Sequence, residues 1–176
     1  LKGDRELEVV SQNFNRMARR LSDYHNSTLS DLMASKRYLE TIINSINEPI
    51  IGLDNDMQIL FINNEALNVL NLKRENTIRR SAQEIAMKND LLRRLIRGML
   101  DQKEEKEQSP TAKKEPLKIY ADNKESFFQV KYMEITMPDK DGVTIVKKGN
   151  VILLKNITEF QELDTAKTTF ISTISH

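Results

Sequence analysis

Cysteine is absent from all 176 residues of the sequence. Disulfides, thiolate metal sites, cysteine nucleophiles and cysteinyl–flavin chemistry are therefore excluded for this chain. A cysteine-free sequence fits a reducing compartment, although many proteins of oxidising compartments also lack the residue. The hydrophobic content is 39%, which is enough for one modest core. We therefore expect part of the chain to be an elongated helix whose surface stays in contact with water.

Histidine is nearly as scarce, since only His25 and His176 occur. No group of His, Asp and Glu has the spacing of a metal site, and Asp54 and Asp56 are better explained as residues of a tight turn. The five glycines are isolated from one another, so the sequence has no glycine-rich nucleotide loop. We therefore predict that this chain holds no metal or cofactor and cannot bind ATP by itself.

Neither sign of charge is in excess, because 27 Lys and Arg residues face 26 Asp and Glu residues. This balance gives no electrostatic reason to expect nucleic acid or an anionic membrane as a partner. No apolar run approaches the roughly 20 residues that span a bilayer. No signal peptide is visible, and the first residue is Leu1 rather than Met. We therefore expect the chain to be part of a longer protein.

Proline and glycine are missing from residues 4–47. Apolar residues recur there at spacings of three and four, namely Leu7, Val10, Phe14, Met17, Leu21, Tyr24, Leu29, Leu32, Leu39, Ile43 and Ile46. This pattern predicts a long helix that forms a parallel homodimeric coiled coil. The stripe slips by one residue near His25, so the supercoil should unwind locally there. His25 is interpreted as a polar residue of the seam, with a pH sensor as the alternative.

The middle of the sequence predicts an α+β fold. Residues 49–63 have the pattern of two strands joined by a turn, and Asn63–Asn64 should cap a short helix. Residues 81–108 are predicted to be a strongly helical, charged segment with one apolar stripe. Three further strand-like runs follow, at 116–121, 126–137 and 149–157. Five strands with helices inserted after the second predict a five-stranded antiparallel sheet with helices on one face.

The segment YLETIINSINEPIIGLDNDMQILFINNEALNVL, residues 38–70, resembles the PAS family. A helix leads into Pro49, a Gly–hydrophobic–Asp hairpin follows, and a strand ends at Asn63–Asn64. PAS domains commonly end in Asp–hydrophobic–Thr at the junction with the next helix. Here Asn156 and Thr158 take the outer two positions, and Asn keeps an oxygen acceptor for capping. The resemblance covers residues 48–158 and implies either a sensor of small ligands or a dimerising adaptor.

The resemblance also directs attention to the interior of the domain. Haem is excluded as a ligand, because both histidines lie outside residues 48–158. The apolar residues Phe61, Met87, Met99, Phe128, Tyr132 and Met133 could line a ligand cavity. Packing as an ordinary core is the favoured alternative for them. The alternation of the strand-like run changes phase between Tyr132 and Met133, which predicts a β-bulge at that point.

The N-terminal segment DRELEVVSQNFNRMARRL, residues 4–21, resembles the second helix of a HAMP domain, with Phe14 and Met17 at its matching apolar positions. HAMP units normally follow a transmembrane helix, so the resemblance implies that the parent protein is membrane-anchored. A generic coiled coil is the alternative. We expect residues 1–24 to be this HAMP helix and residues 25–47 to be a signalling coiled-coil helix.

The C-terminal segment AKTTFISTISH, residues 166–176, resembles the start of the phosphoacceptor box of sensor histidine kinases. The matching positions are Phe170, Ile171, Ser172, Ile174, Ser175 and His176. The resemblance implies that residues 159–176 begin the dimerisation helix and that His176 is the phosphoacceptor. In that chemistry a neutral imidazole nitrogen attacks the γ-phosphorus of ATP. An incidental terminal histidine or the first residue of a tag is the alternative.

Together these patterns predict the cytoplasmic sensory and signal-transmitting region of an inner-membrane two-component sensor histidine kinase. The fragment should be inactive alone, and the resemblance implies that ATP, Mg²⁺, an ATP-binding domain and a response regulator belong to the parent enzyme. Two other hypotheses stay open. One is a PAS sensor module of a diguanylate cyclase or chemoreceptor, and the other is a ligand-free PAS dimerisation adaptor.

Overall fold

The computed structural model describes most of the chain, namely residues 2–105, 115–121 and 123–174. The chain divides into two compact units, one ending at Ile42 and the other beginning at Ile43. Helix α1 (Lys2–Ser45) forms the first unit, except for its last three residues, which belong to the second. Every side chain from residue 4 to residue 42 is exposed, and within the apolar stripe Ile43 and Ile46 are partly buried. The predicted long N-terminal helix is confirmed, and its pairing with a second copy stays a prediction.

The second unit contains a five-stranded sheet in which all neighbouring strands are antiparallel. Its strands are β1 (Ile50–Asp54), β2 (Ile59–Ile62), β3 (Leu117–Ala121), β4 (Lys124–Pro138) and β5 (Ile145–Asn156). They are ordered β2-β1-β5-β4-β3 across the sheet. The first and the last strand of the chain therefore lie side by side. The predicted α+β fold class is confirmed.

The segment between β2 and β3 is helical. It contains α2 (Asn64–Leu70), a 3-10 turn (Arg74–Asn76), α3 (Ala82–Ala86) and α4 (Asp90–Glu105). The helical segment predicted over 81–108 is divided between α3 and α4, because Asn89 starts a new helix. Its Oδ1 accepts the Leu92 N–H at 3.0 Å, and its Nδ2 donates to the Leu70 carbonyl at 2.8 Å. Residues 106–108 lie outside the described part.

One hydrophobic core lies between these helices and one face of the sheet. Alternate strand residues point into it, as the period of two of a β-strand requires. The sheet contributes Ile51, Leu53, Ile59, Ile62, Ile119, Phe128, Ile152 and Leu154, and the helices contribute Ala66, Leu70, Leu92, Leu95, Ile96 and Met99. Each fully buried Leu or Ile contributes about 1.5–3 kcal/mol to folding. The core therefore fixes the helices on a single face, as predicted.

The phase change in β4 does not produce the predicted bulge at Tyr132–Met133. The register of β4 against β5 is unbroken there, with Tyr132 opposite Ile152, and it shifts only between Ile135 and Thr136. Neighbouring residues of an unbroken strand point to opposite faces. Tyr132 therefore points to the helix-covered face and Met133 to the other. The phase change in the sequence reflects apolar residues on both faces of the strand.

Candidate functional site

The junction between the sheet and the C-terminal helix is held by two side chains. Helix α5 (Thr158–Ile174) follows β5 directly. The Asn156 Oδ1 accepts the Thr158 backbone N–H at 3.0 Å and the Thr158 hydroxyl at 2.6 Å. The Thr158 Oγ1 in turn accepts the Phe127 N–H of β4 at 3.0 Å. The first turn of α5 is therefore tied to two strands, at the place where the sequence predicted a strand-to-helix junction.

The N-terminal junction is held by Asn63, whose exposed fraction is 0%. Its Oδ1 accepts the Ile50 N–H at 3.1 Å and the Ala66 N–H at 3.0 Å. The bond to Ala66 is the helix cap that the sequence predicted. The Nδ2 of Asn63 points the other way, towards the end of α1, where it donates to the Glu48 carbonyl at 2.8 Å. Sequence reasoning missed this second set of bonds.

The two junctions are joined through neighbouring strands. The Leu154 N–H of β5 donates to the Pro49 carbonyl at 2.9 Å. Ile50, whose N–H is bound by Asn63, is the ladder partner of Leu153. Asn156 follows Leu154 by two residues. The chain therefore enters the sheet on β1 and leaves it on the neighbouring strand β5, three residues beyond the ladder pair of Ile50 and Leu153.

The interior is crossed by Tyr132, one of three predicted cavity residues that lie in or against the core. Met99 and Phe128 are buried beside it. The Tyr132 hydroxyl donates to the Leu95 carbonyl of α4 at 2.7 Å. Burial, and then the negative charge of Asp101, raises the pKa of the Tyr132 hydroxyl to about 12. The hydroxyl therefore stays protonated at neutral pH and holds α4 on the sheet.

The other three predicted cavity residues lie elsewhere. Phe61 is half-buried, and its ring lies over Gly52, where an added Cβ would come within 2.2 Å of it. Met133 is 46% exposed on the open face of the sheet, and Met87 is 79% exposed after α3. The structure therefore does not bring the six side chains around one space. Strand alternation separates Met133 from Tyr132, and the break before α4 places Met87 at the surface.

An open surface cleft of about 770 Å³ lies beside α2 and α3. Its lining residues are Leu70, Asn71, Leu72, Asn76, Arg80, Glu84, Ile85, Lys88, Asn89 and Asp90. None of the six predicted cavity residues contributes to it. Its two basic side chains are balanced by two carboxylates, so the cleft has no electrostatic preference for an anion or a cation.

The two histidines are far apart in the sequence. His25 is exposed on α1. Helix α5 continues to Ile174, and His176 lies outside the described residues. The role of His176 as a phosphoacceptor therefore stays a prediction.

The PAS fold family matches residues 37–146, which are 110 of the 176 residues. The chain belongs to the PAS family. The match begins in α1 and ends inside β5, and the sheet of this PAS domain continues to Asn156.

Curated relatives of this PAS-containing chain include sensor-like histidine kinases. An uncharacterized sensor-like histidine kinase, ycf26, of Pyropia yezoensis is 28% identical over 173 residues, which cover 97% of this chain and 26% of that protein. Drug sensory protein A of Synechocystis is 29% identical over 189 residues, which cover 97% of this chain and 27% of that protein. The chain thus spans about a quarter of the length of these relatives.

Among solved structures, the PAS domain of Bordetella pertussis BvgS is similar to this chain. The sequence identity is 16% and the TM-score is 0.45, with 80% of this chain and 98% of that chain covered. The family match and the relatives together identify a PAS sensory domain of the kind associated with sensor-like histidine kinases.

Proposed function

We propose that this chain is the signal-transmitting region of a transmembrane two-component sensor histidine kinase. In this proposal α1 delivers a conformational change to the PAS domain, and α5 passes it to the helix that carries His176. The single observation that carries the proposal is the alignment of nearly the whole chain, α1 and α5 included, with a sensor-like histidine kinase and with a drug sensory protein. Because the chain spans about a quarter of those proteins, catalysis is assigned to parts of the parent outside it.

The form of α5 supports an output role. The helix leaves the sheet at the junction in which Thr158 bonds to Asn156 and Phe127. Its side chains from residue 162 to residue 169 are exposed. Among them Leu163 is apolar, as is Phe160 one turn earlier. Exposed apolar residues at helical spacing favour packing against a second helix. The sequence of this helix continues into FISTISH, which resembles the phosphoacceptor box.

His176 is proposed as the phosphoacceptor in the parent enzyme. Its neutral imidazole nitrogen would attack the γ-phosphorus of ATP, and ADP would leave with the bridging oxygen. By resemblance, the ATP-binding domain and Mg²⁺ of the parent supply the nucleotide and neutralise its charge, and a response regulator receives the phosphoryl group.

The N-terminal helix is proposed as the dimerisation element. Its apolar stripe from Leu7 to Tyr24 is between 65% and 74% exposed in the single chain. An apolar stripe of this length is covered in soluble helices, and heptad spacing fits a second copy of the same helix.

Membrane anchoring of the parent is proposed from the resemblance of residues 4–21 to a HAMP helix, with this chain on the cytoplasmic side. Within the described part of the chain, no helix has the length and apolar character needed to cross a bilayer.

The proposal is tested in the full-length parent protein by autophosphorylation with radiolabelled ATP. His176→Gln should abolish labelling, because glutamine cannot form the phosphoramidate bond. Lys124→Gln, at an exposed position of β4, is the control and should keep at least half of the labelling. Equal labelling of the wild type and of His176→Gln would contradict the phosphoacceptor assignment.

A further inference from the structure

The end of helix α1 is contacted by a side chain from another part of the chain. The helix ends at Ser45, its last turn contains no basic residue, and the Ile46 N–H donates to the Ile43 carbonyl at 3.3 Å. The carbonyl oxygens of Ile43, Ile46 and Glu48 face the Nδ2 of Asn63, at 3.4, 3.2 and 2.8 Å. Asn63, which follows β2 in the sequence, therefore caps the end of this helix.

The same side chain fixes two other elements. Its Oδ1 receives the N–H of Ile50 at the start of β1 and that of Ala66 in the first turn of α2. Asn63 is fully buried, so water does not compete for these bonds. Only a neutral amide presents an acceptor on one side and a two-hydrogen donor on the other. Asn63 therefore joins the end of α1, β1 and α2 through a single group.

We propose that Asn63 is the positioning residue that couples the end of α1 to the strand from which α5 departs. This inference rests on the proposed function. A displacement of the carbonyls at Ile43, Ile46 or Glu48 would be transferred by the amide to the N–H of Ile50.

From β1 the displacement has a short route to the output helix. The Pro49 carbonyl accepts the Leu154 N–H of β5, and Ile50 is the ladder partner of Leu153. Asn156 lies two residues beyond Leu154 and holds the first turn of α5 through Thr158. Rigid backbone ladders transmit displacements of this kind because they do not deform continuously.

A second, exposed contact runs beside the buried one. The Asn64 N–H donates to the Asn44 Oδ1 at 3.1 Å, and Arg74 donates to the side chain of Asn64 at 2.9 Å. Water competes with exposed bonds of this sort. Asn64→Ala removes the bond from Arg74 and keeps the backbone bond to Asn44, so it serves as a control that changes a neighbouring side chain without touching Asn63.

The first test measures amide hydrogen exchange in the full 176-residue chain by mass spectrometry. Asn63→Ser still caps α2, because serine is a good N-cap, but its side chain is too short to reach the α1 carbonyls. We expect exchange to rise at least tenfold over residues 43–50 and over 153–160. The amides that pair β3 with β4 should exchange at the wild-type rate.

A loss of global stability could imitate this result, so Leu67→Ala is the second comparison. It leaves a cavity under α2 while keeping Asn63. It should raise exchange evenly across the second unit. If Asn63→Ser and Leu67→Ala gave the same exchange pattern, or if residues 43–50 exchanged at the wild-type rate, the coupling role of Asn63 would be overturned. Asn63→Asp, which keeps the acceptors and loses the donors, repeats the test if the serine variant does not fold.

The second test separates this inference from the proposed function. In the full-length parent, Asn63→Ser should change autophosphorylation by fivefold or more in either direction, and Asn64→Ala should change it by less than twofold. Wild-type labelling in Asn63→Ser together with raised exchange would refute the relay role. Absence of labelling in the wild type itself would contradict the kinase assignment, and the exchange data would then decide the coupling alone.

Discussion

Gly98 of α4 lies so close to Tyr132 of β4 that a Cβ on residue 98 would be 2.5 Å from the tyrosine hydroxyl oxygen. Glycine is a poor residue for the middle of a helix, where it costs about 1 kcal/mol relative to alanine. At this position the absence of a side chain allows Tyr132 to reach the Leu95 carbonyl. The glycine and the tyrosine therefore form one unit that sets the distance between helix and sheet.

Gly98→Ala should lower the free energy of unfolding by about 1–3 kcal/mol, because the new methyl group displaces the hydroxyl or the helix. In a Tyr132→Phe background the nearest remaining atom, Cζ, lies at 3.4 Å. The same substitution should then raise the free energy of unfolding by up to about 1 kcal/mol. Urea denaturation of the wild type, the two single variants and the double variant measures whether the effect of Gly98→Ala on the free energy of unfolding changes sign. Equal effects of Gly98→Ala in both backgrounds would show that the hydroxyl is not the obstacle.

The raised pKa of Tyr132 predicts a pH dependence of stability. The folded pKa of about 12 lies above the ordinary value of 10.0, so folding favours the protonated hydroxyl. This contribution is complete below pH 10 and is lost as the pH rises from 10 to 12. The difference in unfolding free energy between the wild type and Tyr132→Phe should therefore shrink over that range. Met133→Leu, on the opposite face of the same strand and without an ionisable group, is the control and should give a difference that is constant with pH.

The hydroxyl of Thr158 is predicted to stabilise the start of α5. Thr158→Val keeps the shape of the side chain but leaves the Phe127 N–H without its acceptor. The expected loss is about 1–3 kcal/mol of unfolding free energy, measured by urea denaturation. Thr158→Ser retains the hydroxyl and should lose less than half as much. A valine variant as stable as the wild type would mean that another group, such as water, binds the Phe127 N–H.

Dimerisation through α1 can be tested by sedimentation of the full chain. Leu21 is a seam residue, and a charge there would lie against the same charge of a second copy, so Leu21→Glu should weaken the dimer at least tenfold. Arg19 lies on the opposite side of the helix from the seam. Arg19→Glu is therefore the control and should sediment like the wild type. A wild-type chain that sediments as a monomer at micromolar concentration would contradict the proposed coiled coil.

Local chemistry made part of this structure predictable. Asn63 was identified as a helix cap because asparagine before a short helical run accepts its first N–H groups. Asn156 and Thr158 were placed at a junction by the resemblance to PAS domains, which commonly end in Asp–hydrophobic–Thr. The sheet and its fold class followed from five strand-like runs with helices inserted after the second.

Contacts between distant segments were not predictable in the same way. The bonds from Asn63 to Ile43 and Ile46 join residues 20 and 17 positions apart, and nothing in the spacing indicates which carbonyls its side chain reaches. The cavity hypothesis assigned Met133 and Met87 to the interior from their residue type alone. Their exposure depends on strand register and on the break between α3 and α4, which only the folded chain determines.

The proximity of Pro49 to Leu154 has a consequence for how such a domain can be combined with others. Because the chain arrives and departs at neighbouring strands, about a hundred residues can be inserted between two helices without separating the helix ends widely. Insertion of this kind leaves the flanking helices free to keep their own spacing. We therefore expect that such a domain can be added to or removed from a helical protein as a unit.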